Sequence, residues 1–273
     1  MDPAQCPELG RDGHLPLLPA SLWPASAQVG WGAVFEQIRP LLADIARADD
    51  ASHATQGLNA LDQRLGLIRG RPWPDRPRRE AAVLVGVFHD GGAWRLLLTQ
   101  RTATLREHAG EISFPGGRID PQDSGPIAAA LRESQEEVGL APGDIQVLGL
   151  LPGYVTVTNY RVAPVLAQVD AAAARTAIAA SANSEVAHAF AVPLAQVLDP
   201  CQHVWRTYRR EGVERRFVSM PAPESLSGLQ AGHGPIWGAT AAMLRNLYLV
   251  LAWSLCEAQM NAAAALHPWR NEY

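Results

Sequence analysis

The stretch from Leu97 to Leu140 constrains this chain more than any other part of it. It reads LLTQRTATLREHAGEISFPGGRIDPQDSGPIAAALRESQEEVGL. Near its end Glu133, Glu136 and Glu137 follow Arg132. Spacings of three and four put all three carboxylates on roughly one face of a helix. Like charges so placed repel, and an isolated helix is better without them. A solvated helix face is the usual reading of a charge run. A divalent cation is the sharper one, because it turns the repulsion into a chelate. Carboxylates are hard oxygen donors, and Mg²⁺ takes one or two of them, keeps waters and adds substrate phosphates. Earlier in the stretch, Phe114-Pro115-Gly116-Gly117 reads as a sharp break. Backbone approaches a ligand closely there, since glycine lacks Cβ and tolerates positive φ.

Bulk properties narrow the classes. A chain of 273 residues holds one domain with appendages or two small domains. A net charge of −4 and a pI near 6.1 argue against a protein that coats nucleic acid. All 23 basic residues other than histidine are arginine, so any phosphate-binding cation besides histidine is a guanidinium, suited to bidentate contacts. Cys6, Cys201 and Cys256 are far apart and lack metal-cluster spacing, which fits a reducing compartment. The sequence holds no run of about eighteen apolar residues and no signal-peptide pattern at its start, so a cytoplasmic location is expected.

Taken in order, residues 1–28 are rich in Pro, Gly and Ala and read as a loose arm. Apolar residues at helical spacing predict an amphipathic helix over Trp31–Ala48, and Leu58, Leu61, Leu65 and Leu67 a second short one. Gly70–Pro77 is a proline-punctuated linker. Ala82–Phe88 and Trp94–Gln100 read as strands joined at His89-Asp90-Gly91-Gly92. Glu111–Phe114 reads as a short strand and Ile127–Val138 as the glutamate helix. Pro126 suits its first turn and Gly139 a left-handed cap. Ile145–Leu151, Val162–Val169 and Ala189–Val192 read as strands, and Leu194–Leu198 as a short helix. Ala171–Ala182 is left open between helix and variable loop. His203–Tyr208 and Arg215–Met220 form a second hairpin, residues 221–234 a loop, and Ile236 opens a long apolar helix to about Gln259. Periodicity alone gives mixed α/β.

The glutamate helix resembles the second half of the Nudix box, the signature of Nudix hydrolases. The part before it is similar to the coenzyme A pyrophosphatase subfamily in Leu97, Leu98, Thr99, Arg101, Thr102 (threonine for serine), Arg106, Gly110, Phe114, Pro115, Gly116 and Gly117. Ile236-Trp237-Gly238-Ala239-Thr240 also resembles the subfamily, so the likeness runs from Ala82 to Leu247. Two departures stand out. Asp123 occupies the position of a general Nudix glutamate, with one extra residue before Arg132, and is read as a loop or cap residue rather than a ligand. Tyr154–Arg161 differs from the subfamily.

The resemblance implies a Nudix-type α/β/α sandwich with a mixed sheet and an N-terminal helical extension. Its parts are an arm over 1–28, the extension and linker over 29–77, the hydrolase domain over 78–262 and a tail over 263–273. It implies Mg²⁺ or Mn²⁺ on Glu133, Glu136 and Glu137, with Arg132 orienting them. It points to Arg101, Arg106, Gly110, Gly116 and Gly117 as substrate contacts, and to Glu185 as general base or further ligand. The expected reaction is hydrolysis of the diphosphate of coenzyme A or an acyl derivative. A homodimer is one further expectation, with no membrane contact. The alternatives are another nucleoside diphosphate derivative (ADP-ribose, NADH or a capped RNA end) and a silent Nudix fold used as a binding module. His108, a lone loop histidine, is read as a surface feature, and the basic hairpin residues Arg206, Arg209, Arg210, Arg215 and Arg216 as a solvated hairpin, with contact to a 3′-phosphate as the alternative.

Overall fold

The computed structural model describes residues 31–52, 65–70, 77–104, 108–180, 183–210, 212–221 and 234–266. Arg106, most of the predicted second helix, the proline linker and both termini lie outside them. The central sheet is mixed. β2 (Ala93–Arg101), β1 (Arg79–Asp90), β7 (Tyr160–Val169) and β5 (Ile145–Leu150) lie side by side. β3 (Ile112–Ser113) and β8 (Val186–Pro193) pair with β2, β4 (Gly116–Arg118) with β1, and β6 (Tyr154–Val155) with β7. Among the described residues only β1 and β7 run parallel. A separate antiparallel sheet holds β9 (Val204–Arg210), β10 (Val213–Met220) and β11 (Ile236–Trp237).

β1 is almost uniformly apolar because both of its faces are buried, as in any strand covered by helices on two sides. Alternation sends Leu84 and Phe88 to one face, against α2 (Pro126–Val138) and α3 (Ala171–Ala180). Ala81, Val85 and Val87 go to the other face, with α1 (Trp31–Ser52) and α5 (Gly238–Leu266). A four-residue helix, α4 (Leu194–Val197), follows β8. α5 is apolar on nearly every side, which suits a helix buried between two sheets. The result is an α/β/α sandwich with an N-terminal helix.

Several boundaries differ from the sequence reading. Ala171–Ala180 is a helix, since alanine has the highest helix propensity and the segment buries Ala174 and Ala177. Phe114–Gly117, read as a sharp break, holds two glycines that begin a short strand, Gly116–Arg118, on β1. A ladder tolerates glycines whose neighbours fix their backbone, and local pattern cannot see those neighbours. α5 runs on to Leu266, and α1 to Ser52 through Pro40.

α1 is an integral part of the core. Phe35 is fully buried, stacks on Trp31 at 5.8 Å and meets Trp94 of β2 edge-on at 5.3 Å. Phe35→Ala should therefore cost about 3–5 kcal/mol of unfolding free energy, measured by urea denaturation. A loss under about 1 kcal/mol would mean that α1 is peripheral.

Candidate active site

α2 carries the glutamates against β4. Its C-terminus is closed by Gly139 in the left-handed region (φ 73°), whose N–H reaches the Gln135 carbonyl at 3.0 Å. Its N-cap is Gly125, with no side-chain hydrogen bond, so Asp123 is not a cap. Asp123 instead accepts two hydrogen bonds from Arg132, from Nε at 3.1 Å and Nη2 at 3.0 Å. The Asp120 N–H adds a third at 2.8 Å. These bonds hold the Asp123 carboxyl below its usual range. This role was not read from the sequence. The only signal was an acid on the loop nine residues before Arg132, and the loop's path decides whether such a residue can reach back.

Arg132 also donates through Nη1 to Glu133 at 3.0 Å and Glu136 at 3.2 Å, and through Nη2 to the Arg118 carbonyl at 3.0 Å. The N–H of Gly116 donates to Glu137 Oε2 at 2.9 Å. Glu137 is 8% exposed. Burial pushes its pKa up to about 7, and the charges of Glu133 and Glu185 add to that, against the opposing Gly116 N–H and Arg101. Glu133 is raised too, first by burial, with Glu136 and Glu185 contributing and Arg132 opposing. Glu133, Glu137 and Glu185 thus share one electrostatic neighbourhood.

The glycines permit this closeness. A Cβ on Gly117 would stand 2.6 Å from the Glu133 carboxyl carbon, and one on Gly116 would enter the backbone of Ala82 and Val83. Gly110 differs. It sits in a positive-φ turn (72°) with open space where a Cβ would be, and so acts through the turn.

The Glu185 loop is pinned by a residue that sequence reasoning did not single out for a role. Asn183 donates through Nδ2 to the Glu137 carbonyl at 2.8 Å. Its Oδ1 accepts from the N–H groups of Glu185 and Val186 at 2.9 and 2.8 Å. Thr102 ties the same loop to β2, its N–H donating to the Glu185 carbonyl at 2.9 Å. Arg101, just before it, lies close enough to Glu137 to oppose the rise in its pKa, and its buried Nε has no hydrogen-bond partner. His108 is paired with Glu111 at 2.9 Å.

Among the described residues no three His, Cys, Asp or Glu side chains converge as a ready metal cage. Arg132 lies between Glu133 and Glu136, and the Gly116 N–H holds Glu137. The donor set nonetheless fits a hard divalent cation. It is all carboxylate, and a cation would favour the ionised form of its most buried member, which burial opposes.

A mixed-sheet α/β/α sandwich with an arginine-anchored acidic helix beside a double-glycine strand defines a class of phosphoanhydride hydrolases. The NUDIX domain model matches residues 77–211. The chain is 39% identical over 173 residues to an uncharacterized Nudix hydrolase NudL of Citrobacter koseri, covering 63% of this chain and 82% of that one. It is 38% identical over 172 residues to the protein of the same name from Escherichia fergusonii, with the same coverage. A solved Nudix hydrolase from M. Smegmatis, RenU, aligns with 45% of this chain and 75% of its own at 23% identity, with a TM-score of 0.32. The chain belongs to the Nudix hydrolase family. It is a hydrolase of pyrophosphate bonds, in a family that acts on small nucleotide derivatives and generally uses divalent metals. Among the described residues no helix is long and apolar enough to cross a membrane.

Gly117→Ala tests the close approach. The added Cβ should displace the flexible Glu133 carboxylate rather than unfold the strand. Activity should fall about 10- to 100-fold with little change in melting temperature. Full activity would show that the Glu133 position is immaterial.

Proposed function

We propose that this enzyme hydrolyses the diphosphate of coenzyme A or its acyl derivatives, giving 3′,5′-ADP and 4′-phosphopantetheine or its acyl form. One observation carries the reading. Arg101, from the segment that resembles the coenzyme A subfamily, stands at Glu137 with a buried Nε that has no hydrogen-bond partner. A guanidinium so near the glutamates can contact a substrate phosphate through its terminal nitrogens.

Glu133, Glu136 and Glu137 would hold Mg²⁺ or Mn²⁺, which when bound withdraws charge from the diphosphate and acidifies water. The chain supplies the rest. Arg132 keeps Glu133 and Glu136 in place. Glu185, exposed on a loop pinned by Asn183, would take the proton of the attacking water or serve as a further ligand. Water adds to one phosphorus as the bridging P–O bond breaks, and Arg101 steadies the phosphate charge. The cytoplasm is the expected place of action.

Two measurements bear on this reading. Steady-state kinetics should give a higher kcat/KM for coenzyme A than for ADP-ribose. Equal or better turnover of ADP-ribose would leave only the broader Nudix assignment. The second concerns pH. The Glu137 carboxyl is protonated below about 7 in the metal-free protein. Metal binding needs the carboxylate, so loading must release a proton, and metal affinity should climb as pH rises toward 7. Calorimetry in buffers of different ionisation enthalpy counts that proton. Glu137→Gln should remove the proton release and lower kcat on the order of 10³-fold. Unchanged release in the variant would take Glu137 out of the metal site.

A further inference from the structure

On the sheet face opposite α2, Arg79, Arg118 and Tyr160 form a cationic cluster that the proposed chemistry does not use. Arg79 and Tyr160 begin β1 and β7 and are register partners. Arg118 ends β4 opposite Ala81, whose side chain packs on the α1/α5 side. The Tyr160 hydroxyl oxygen accepts from Arg79 Nη1 at 2.9 Å and from Arg118 Nε at 3.0 Å. The two guanidinium carbons lie 5.2 and 5.8 Å from the centre of the same ring. Neither arginine has an ion-pair partner among the described residues. The nearby Glu80 is engaged by Arg78 at 3.2 Å and Arg161 at 3.6 Å.

Two like charges gathered on one phenol repel, and no ion pair among the described residues offsets them. The shared oxygen accepts twice and keeps its own hydrogen free to donate. The remaining guanidinium N–H groups are exposed with both arginines. Several donors carrying two positive charges match an acceptor-only dianion. A phosphate monoester carries about −1.5 to −2 at neutral pH and offers three strong acceptor oxygens. A carboxylate has half that charge.

The position adds to this. Arg118 is two residues past Gly116, roughly 7 Å along a strand. Among the described residues β4 pairs with β1 alone, opposite Ala81, Ala82 and Val83, and fills the gap where β1, which meets β2 only from Val87 on, parts from that strand. A ligand whose diphosphate lies at Gly116 and the glutamates can pass beside β4 there and set a second phosphate on the cluster. We infer that Arg79 and Arg118, oriented by Tyr160, bind a phosphate monoester that the substrate carries apart from its cleaved diphosphate. The inference rests on the reading of a coenzyme A-like substrate and adds the residues that read its extra phosphate.

The test separates the two. Binding is measured by calorimetry on metal-free full-length protein, so that no turnover is needed. The probes are coenzyme A, 3′-dephospho-coenzyme A, adenosine 3′,5′-bisphosphate and adenosine 5′-monophosphate, so that each pair differs by the 3′-phosphate alone. The proteins are wild type and Arg79→Gln/Arg118→Gln, whose exposed sites leave the fold intact by melting temperature. The wild type should bind each 3′-phosphorylated probe at least about tenfold tighter than its counterpart, and the variant should lose that preference. A preference retained in the variant, or absent from the wild type, overturns the cluster's role. Turnover of coenzyme A with Mg²⁺ is scored separately. Binding that depends on the cluster without such turnover keeps the phosphate site and sinks the substrate reading. Turnover without such dependence does the reverse.

Discussion

The guanidinium of Arg132 reaches both oxygens of Asp123, one oxygen each of Glu133 and Glu136, and the Arg118 carbonyl. Those contacts use all five N–H donors of the fork. One side chain thereby fixes the loop, the helix and the strand relative to one another. Lysine has three donors on a flexible stem and cannot span that set. The clamp also answers the electrostatic problem of the helix. Glu133 and Glu136 repel less with a shared cation between them, while Glu137 is left to burial and rises toward neutrality. The Gly116 N–H and Arg101 oppose that rise without cancelling it.

Strand alternation distributes the remaining chemistry. Gly117 lies opposite Ala82, whose face packs on α2, and there its missing side chain admits the Glu133 carboxylate. Arg118, one residue on, turns to the other face and joins Arg79 and Tyr160. A three-residue strand in the gap between β1 and β2 therefore serves both sides of the sheet at once. Its first glycine contributes an N–H to Glu137, and its arginine contributes both a carbonyl to Arg132 and a cation to the opposite face.

Legibility in the sequence followed how local the cause was. The glutamate spacing, the Gly139 cap, both hairpins and the apolar β1 rest on near neighbours, and each could be read directly. The family resemblance carried the sandwich, because periodicity cannot say which strands pair. The role of Asp123 was missed since its partner lies across a loop that depends on the whole strand–helix connection. Asn183 escaped for the same reason. Its amide serves the end of α2 and its own loop together, and no spacing rule links positions 137 and 183. Phe114–Gly117 looked like a break because double glycine signals a turn, yet β1 overrode that preference at Gly116 and Gly117 with ladder hydrogen bonds.

The family match over 77–211 does not include the two helices that close the second face of the sheet. α1 supplies Phe35, Ile38, Leu42 and Ile45 to the same core as Val85, Leu96 and Leu98. A Cβ on Gly149 of β5 would come within 2.9 Å of Leu42, so this glycine sets how closely α1 seats on the sheet. At its other end Asp49 of α1 accepts from the Gly153 N–H at 2.9 Å and pairs with Arg69 at 2.7 Å. That carboxylate holds the chain just before β6 and β7, the strand that begins with Tyr160. Asn246 of α5 grips the other side of the same junction through the Ile68 N–H and carbonyl, both at 2.8 Å. The region before the family match is therefore bonded into the frame that carries Tyr160 and Arg79. Changes in α1 should reach the cationic face of the sheet before they reach the glutamates, which take their position from Arg132 on the other side.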